Sequence, residues 1–259
     1  DLHFLADKKH FIWTSEMDGY HHIYLYNMDG KKVRQLTKGK WDMTDFHGVD
    51  EKNGQVFYQA AKDSPMQRHE YVVNLDGKND KELTRVAGWN KAQYSSTFDY
   101  YVLTHSNINT PASYVVYDRA GKVIRTIEDN SYLKSRMKAY DIQPAEFFSF
   151  TTKDKVDLNG YMIKPRDFDP NKKYPVFMYL YGGPGSQQVV DNWRGQNYWW
   201  FQMLAQQGYV VACVDNRGTG ARGEAFKKIT YMQLGHYETI DQIEAAKYLG
   251  SLEYTDAER

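Results

Sequence analysis

"YPVFMYLYGGPG", residues 174–185, is an apolar run that breaks at a glycine-proline corner, and its reading decides what lies on either side. A continuous apolar strand of this kind is buried on both faces, as in a parallel sheet covered by helices. The strand is expected to run as far as Tyr181, at the carboxyl end where open α/β sheets place their ligands. Alternation then puts Tyr179 and Tyr181 on one face and Leu180 on the other. Gly182, Gly183, Pro184 and Gly185 form the corner: glycine tolerates positive φ, and Pro184 biases Gly183 away from the helical region.

The flanks support an α/β reading. "EFFSFTT" (146–152) and "LNGYMIKP" (158–165) alternate like a hairpin, and "YVVACV" (209–214) is a second buried strand. Residues 196–207 read as a helix in which Trp199 and Met203, then Trp200 and Leu204, stack at i, i+4, with Gly208 as the stop. Residues 237–249 form another, with Ile240, Ile243 and Ala246 along one side. This alternation of strand and helix opens a parallel α/β sheet.

Upstream of about residue 130 the pattern is different. "FIWTS" (11–15), "QVFYQ" (55–59) and "YYVLT" (100–104) recur, as do "IYLYNMDG" (23–30), "YVVNLDG" (71–77) and "YVVYDRAG" (114–121). "QLTKG" (35–39) returns as "ELTRV" (82–86). Short alternating strands repeated at about 40 to 50 residues are the signature of four-stranded propeller blades; an antiparallel meander of look-alike strands is the plainer alternative. About three such units do not close a ring, since propellers use roughly 4 to 8.

Lys plus Arg and Asp plus Glu number 33 each, so no net field draws the chain to nucleic acid or an anionic membrane. No run reaches the ~20 apolar residues that span a bilayer. The single Cys213 lies inside "YVVACV", where it reads as a small buried hydrophobe. With no HExxH and no paired CxxC, no metal site is expected.

Addition to a carbonyl builds negative charge on oxygen, and a neutral donor fixed beside that oxygen stabilises it. A tyrosine hydroxyl, with its ordinary pKa of ~10, donates without carrying charge. Tyr181 is placed for that role; on chemistry alone, a strand-terminating turn with Tyr181 as packing accounts for the same residues.

"KKYPVFMYLYGGPGSQ", "VDNRGTGARGEAF" and "LGHYETIDQIEAAKYL" resemble the opening of the hydrolase domain in the dipeptidyl peptidase IV branch of the prolyl oligopeptidase family, and the resemblance continues upstream through "IEDNSYL" and the blades. It implies a mixed fold: the C-terminal blades of a partial β-propeller over 1–138, followed by the N-terminal part of an α/β-hydrolase domain over 139–259. It assigns Tyr181 as oxyanion donor, with the corner residues Gly182, Gly183 and Pro184 near the substrate. It further implies a serine exopeptidase that releases N-terminal di- or tripeptides after proline or alanine, without cofactor. Its substrates would be peptides with a free N-terminus, the whole protein a homodimer, and its setting periplasmic or extracellular.

The sequence departs from the family pattern in two ways. No Gly-x-Ser-x-Gly elbow is present. Ser186 follows Gly185 but reads as a loop serine. In the resembled proteins the elbow follows the segment matching "GSLEYTDAER", so the chain is expected to be an internal, inactive fragment that lacks the catalytic serine, aspartate and histidine. No counterpart of the propeller glutamate pair that captures the substrate amine is found either. Among the eight histidines, the adjacent His21 and His22 point to opposite faces and His236 precedes a helix; surface or turn roles are expected for all.

Two other function classes are open. Gly218, Gly220 and Gly223 in "RGTGARG" formally match the dinucleotide-binding GxGxxG. Against it, three polar residues separate the strand from Gly218, Glu224 would repel a pyrophosphate, and a helix occupies the place of the second strand. A propeller used only for binding or assembly is the remaining reading.

Overall fold

The computed structural model describes residues 1–258; Arg259, the last residue of the expected hydrolase segment, lies outside the described residues. The chain divides into two compact units. One holds 1–107, 112–129 and 221–225; the other holds 108–111, 130–220 and the chain from Phe226 onward.

The first unit is built from three four-stranded antiparallel meanders. The first contains β1 (Leu2–Phe4), β2 (His10–Ser15), β3 (His22–Asn27) and β4 (Lys32–Gln35). The second contains β5 (Met43–Asp50), β6 (Gln55–Ala60), β7 (His69–Asn74) and β8 (Lys81–Glu82), and the third β9 (Trp89–Tyr94), β10 (Tyr100–Asn107), β11 (Thr110–Asp118) and β12 (Val123–Glu128). The repeated motifs fall on equivalent strands: the first set on β2, β6 and β10, the second on β3, β7 and β11. Each third strand ends in the same turn, in which the N–H of Gly30, Gly77 or Gly121 donates back to Asn27, Asn74 or Asp118. These three glycines have φ of 76°, 73° and 81°, a conformation that L-residues with a side chain resist.

Ile12, Ile23 and Leu25 of the first sheet pack with Val56, Tyr58, Tyr71 and Val73 of the second in one apolar layer. Polar bonds join the second sheet to the third: the Ala92 N–H donates to Glu70 Oε1 at 2.8 Å, and Gln59 Nε2 donates to the Asn90 carbonyl at 2.6 Å. Glu70 and Asn90 are fully buried, so these bonds satisfy groups that water cannot reach.

In the second unit, α1 (Ser131–Met137) precedes a sheet of β13 (Ala145–Thr151), β14 (Asp157–Ile163), β15 (Val176–Tyr179) and β16 (Val210–Asp215) in the order β13-β14-β16-β15. The expected hairpin is β13–β14, and β14–β16 is also antiparallel; only β15–β16 is parallel, pairing Val176 with Val210 and Tyr179 with Cys213. All six residues of β16 are buried. A 3-10 turn (Lys138–Tyr140) follows α1, and helices α2 (Gln196–Gln206), α3 (Glu224–Lys228) and α4 (His236–Gly250) complete the elements.

Three expectations are corrected here. The strand at the opening corner stops at Tyr179, so alternation does not carry through to Tyr181. In α2 the buried face is Tyr198, Phe201, Gln202, Leu204 and Ala205; of the expected pairs only Leu204 lies on it, and Trp200 and Met203 are about half exposed. In α4 the buried line is Asp241, Ala245 and Leu249, at i, i+4, i+8, and Ile243 is half exposed. Each buried line contains a polar residue, Gln202 in α2 and Asp241 in α4, so a count of apolar residues picks the wrong face.

Candidate active-site corner

Beyond β15 the chain leaves the sheet through Leu180 and Tyr181 and turns at Gly182, whose φ is 71°. A Cβ on Gly182 would lie 2.9 Å from Asn216 Oδ1, and one on Gly183 would lie 2.5 Å from Tyr181 Cε1. The tyrosine ring therefore lies over Gly183, and any side chain there would displace it. Tyr181 is 63% exposed, and among the described residues no hydrogen bond occupies its hydroxyl. Together with Leu180, Gly182, Gly183 and Ile243 it lines an open depression of about 590 Å³; Pro184 stands outside it. Tyr179, by contrast, packs on Phe201 with ring centroids 5.2 Å apart.

The corner is held from behind by two loops laced to each other. Asn216 Nδ2 donates to the Gly182 carbonyl at 3.2 Å and to the Arg217 carbonyl at 2.6 Å, while Gln242 Nε2 donates to Asn216 Oδ1 at 3.0 Å and to the Val214 carbonyl at 2.9 Å. The Gly185 N–H donates to the Gly218 carbonyl at 2.8 Å, and the Gly220 N–H to the Ser186 carbonyl at 3.1 Å. Asp215 accepts the N–H groups of Gln188 and Val189 at 2.9 and 2.8 Å. Beneath them Arg217 is buried against Asp241: its Nη2 donates to Oδ1 at 2.6 Å, and its backbone N–H to Oδ2 at 2.7 Å. Hydrogen bonding to Asp241 raises the guanidinium pKa further. Asn216, Arg217, Asp241 and Gln242 escaped assignment from sequence, because bonds spanning 24 to 34 residues leave no local pattern.

Residues 1–112 match the model of the dipeptidyl peptidase IV N-terminal region, and residues 195–259 that of the prolyl oligopeptidase family. The crystal structure of Porphyromonas gingivalis dipeptidyl peptidase 4 superposes with a TM-score of 0.93 at 46% identity, covering 100% of this chain and 36% of that one. The chain belongs to the dipeptidyl peptidase IV branch of the prolyl oligopeptidase family. Dipeptidyl peptidase 4 of Arthroderma otae is 35% identical over 249 residues, 93% of this chain and 32% of its own. That of Trichophyton rubrum is 34% identical over 248 residues, with 93% and 32% covered. The chain thus spans about a third of the length of the relatives it matches.

The competing glycine motif has a structural explanation. The Gly218 N–H donates to the Phe226 carbonyl at 2.9 Å, Gly220 to Ser186, and Gly223 to Asp42 Oδ2 at 2.8 Å. All three amides are spent inside the protein, so none is left to cradle a phosphate. Ser186 is a loop serine as expected, its hydroxyl donating to the Gly183 carbonyl at 2.9 Å. Cys213 is buried, and burial pushes its thiol pKa far up, which makes it inert.

The exposed His236, and His10, which is bonded to Asp7 of the turn before β2, fit the expected surface or turn roles, but His22, His47 and His69 do not. His22 is fully buried, with Nδ1 3.1 Å from Thr37 Oγ1 and Nε2 3.0 Å from the Gly39 carbonyl, and burial lowers its pKa. His47 lies 2.7 Å from the buried Glu70; burial works against its proton, but the hydrogen bond to Glu70 prevails and its pKa is raised. His69 is also buried, within reach of two carboxylates. No helix among the described residues is long and apolar enough to cross a membrane.

Proposed function

We propose that this chain is the part of a serine exopeptidase that carries the late propeller blades and the opening of the α/β-hydrolase domain, the change falling near residue 138. Tyr181 is its oxyanion donor, and the corner Gly182, Gly183 and Pro184 borders the substrate. The observation that carries the reading is the exposed, uncommitted hydroxyl of Tyr181 over Gly183, on a corner braced by Asn216 and Gln242. A donor fixed before charge develops costs nothing to reorganise at the moment of reaction.

The nucleophile comes from outside this chain, which holds no Gly-x-Ser-x-Gly pentad. One edge of β15 pairs with β16; along the other, among the described residues, only Tyr174 just before the strand is bridged, in parallel to Thr255. A further parallel strand fits along that edge and would deliver a serine at its carboxyl end, beside Tyr181. Serine then attacks the scissile carbonyl, a histidine carries the proton to the leaving amine, and Tyr181 shares the oxyanion with a backbone N–H next to the serine. The substrates are peptides with a free N-terminus, cut after proline or alanine. The whole protein is a homodimer acting outside the cytoplasm.

The test is Tyr181→Phe in the whole enzyme. The expected result is a fall of about 10²- to 10³-fold in kcat with little change in KM. Unchanged turnover would remove Tyr181 from the mechanism.

A further inference from the structure

The first and second blades use one plan for a buried histidine. In the first, Thr37 Oγ1 accepts the Ile23 N–H at 3.0 Å and lies 3.1 Å from His22 Nδ1. In the second, Thr84 Oγ1 accepts the Glu70 N–H at 3.0 Å and lies 3.4 Å from His69 Nδ1. The far nitrogens differ. His22 Nε2 meets the Gly39 carbonyl, whereas His69 Nε2 is buried with no hydrogen-bond partner.

The surroundings of His69 fix its proton. Nδ1 faces two acceptors, Glu82 Oε1 at 2.9 Å and the Thr84 carbonyl at 3.3 Å, so it carries the hydrogen. In the neutral ring Nε2 then presents a lone pair, and 3.9 Å away stands the carboxylate of Asp63, also an electron donor. A ring lone pair and a carboxylate facing each other, in a site the sister blade fills with a hydrogen bond, are able to share one cation between them. Lys62 does not supply it: its ammonium is 2.7 Å from Asp80 and lies over the Tyr71 ring.

We propose that Asp63, His69 and Glu82 form a Zn²⁺ site, with His69 Nε2 and the Asp63 carboxylate as direct ligands and Glu82 orienting the imidazole through Nδ1. One ligand atom from each residue lies within 4.8 Å of the others. The 3.9 Å gap from Nε2 to Oδ2 is about half an ångström wider than the ~3.4 Å spanned by two bonds of about 2.1 Å at a tetrahedral Zn²⁺, so one ion touches both after a small closure of the exposed Asp63 side chain. A carboxylate behind a metal-bound histidine is the usual support for such a ligand. Asp63 is exposed, which leaves the ion a way in and room for water as its remaining ligands. No sequence spacing signals this site, because its residues come from the loop after β6, the start of β7 and the end of β8. Bound there, the ion would tie that loop to the strand pair.

The test is a Zn²⁺ titration of the chain by calorimetry, with melting followed in parallel. One ion per chain is expected, with a rise in melting temperature on saturation. Glu82→Gln should weaken binding roughly 10- to 100-fold. Asp63→Asn, an exposed change that leaves the fold intact, should weaken it at least as much without altering metal-free melting. Absence of binding at millimolar Zn²⁺, or equal affinity in Asp63→Asn, overturns the site.

Discussion

The two units solve the problem of buried polar groups differently. The blades repeat themselves: one glycine turn closes three third strands, and one threonine-histidine pairing serves two sheets. In the α/β unit each bond occurs once. Arg217 meets Asp241, Asn216 meets Gln242, and Asp215 holds a loop 27 residues away. Repetition spreads stability over many equivalent contacts, whereas the braced corner concentrates it in a few that have no substitute.

The change that should separate the units most is Asp241→Ala. It leaves the Arg217 guanidinium buried without its main partner, and removing one member of such a pair costs about 3 to 5 kcal/mol. Denaturant unfolding should report that loss, and hydrogen exchange should rise at 182–190 and 215–220; a cost under ~1 kcal/mol would show the brace to be dispensable. Ile12→Ala in the blade layer comes next, at about 2 to 5 kcal/mol. Its exchange increase should spread across the first two sheets and leave the corner protected.

The smallest effect is one of pH. Burial sets the folded pKa of His22 below its unfolded value, so the unfolded chain takes up the proton first. Its contribution is complete above about pH 6.5 and falls as the pH drops below that value. His47, with its pKa raised, has the opposite sign: it stabilises below about pH 6.5 and fades as the pH rises through the folded value. The denaturation midpoint at pH 7.5 minus that at pH 5.5 should therefore be smaller in His22→Gln than in the wild type and larger in His47→Gln.

The same contrast decides what could be read beforehand. The blades were legible because a local motif recurs, and each recurrence fell on the equivalent strand. The corner at Tyr181 was legible by its place after an apolar run, although the strand stops two residues short of it. The buried histidines were not, since the threonines that satisfy them lie 15 residues on and look like any loop threonine. The helix faces were misjudged because an aspartate occupies the buried line of α4, and its guanidinium partner is invisible to a count of apolar residues.

The open flank of β15 bears on how much the phenol is worth. A hydrogen-bond donor standing in bulk water stabilises a nascent alkoxide little, because the solvent already does so; the same donor in a dry cleft is far stronger. In the proposed role, Tyr181, with 63% of its surface wetted, would gain its strength as a donor from a strand that sealed that flank against water.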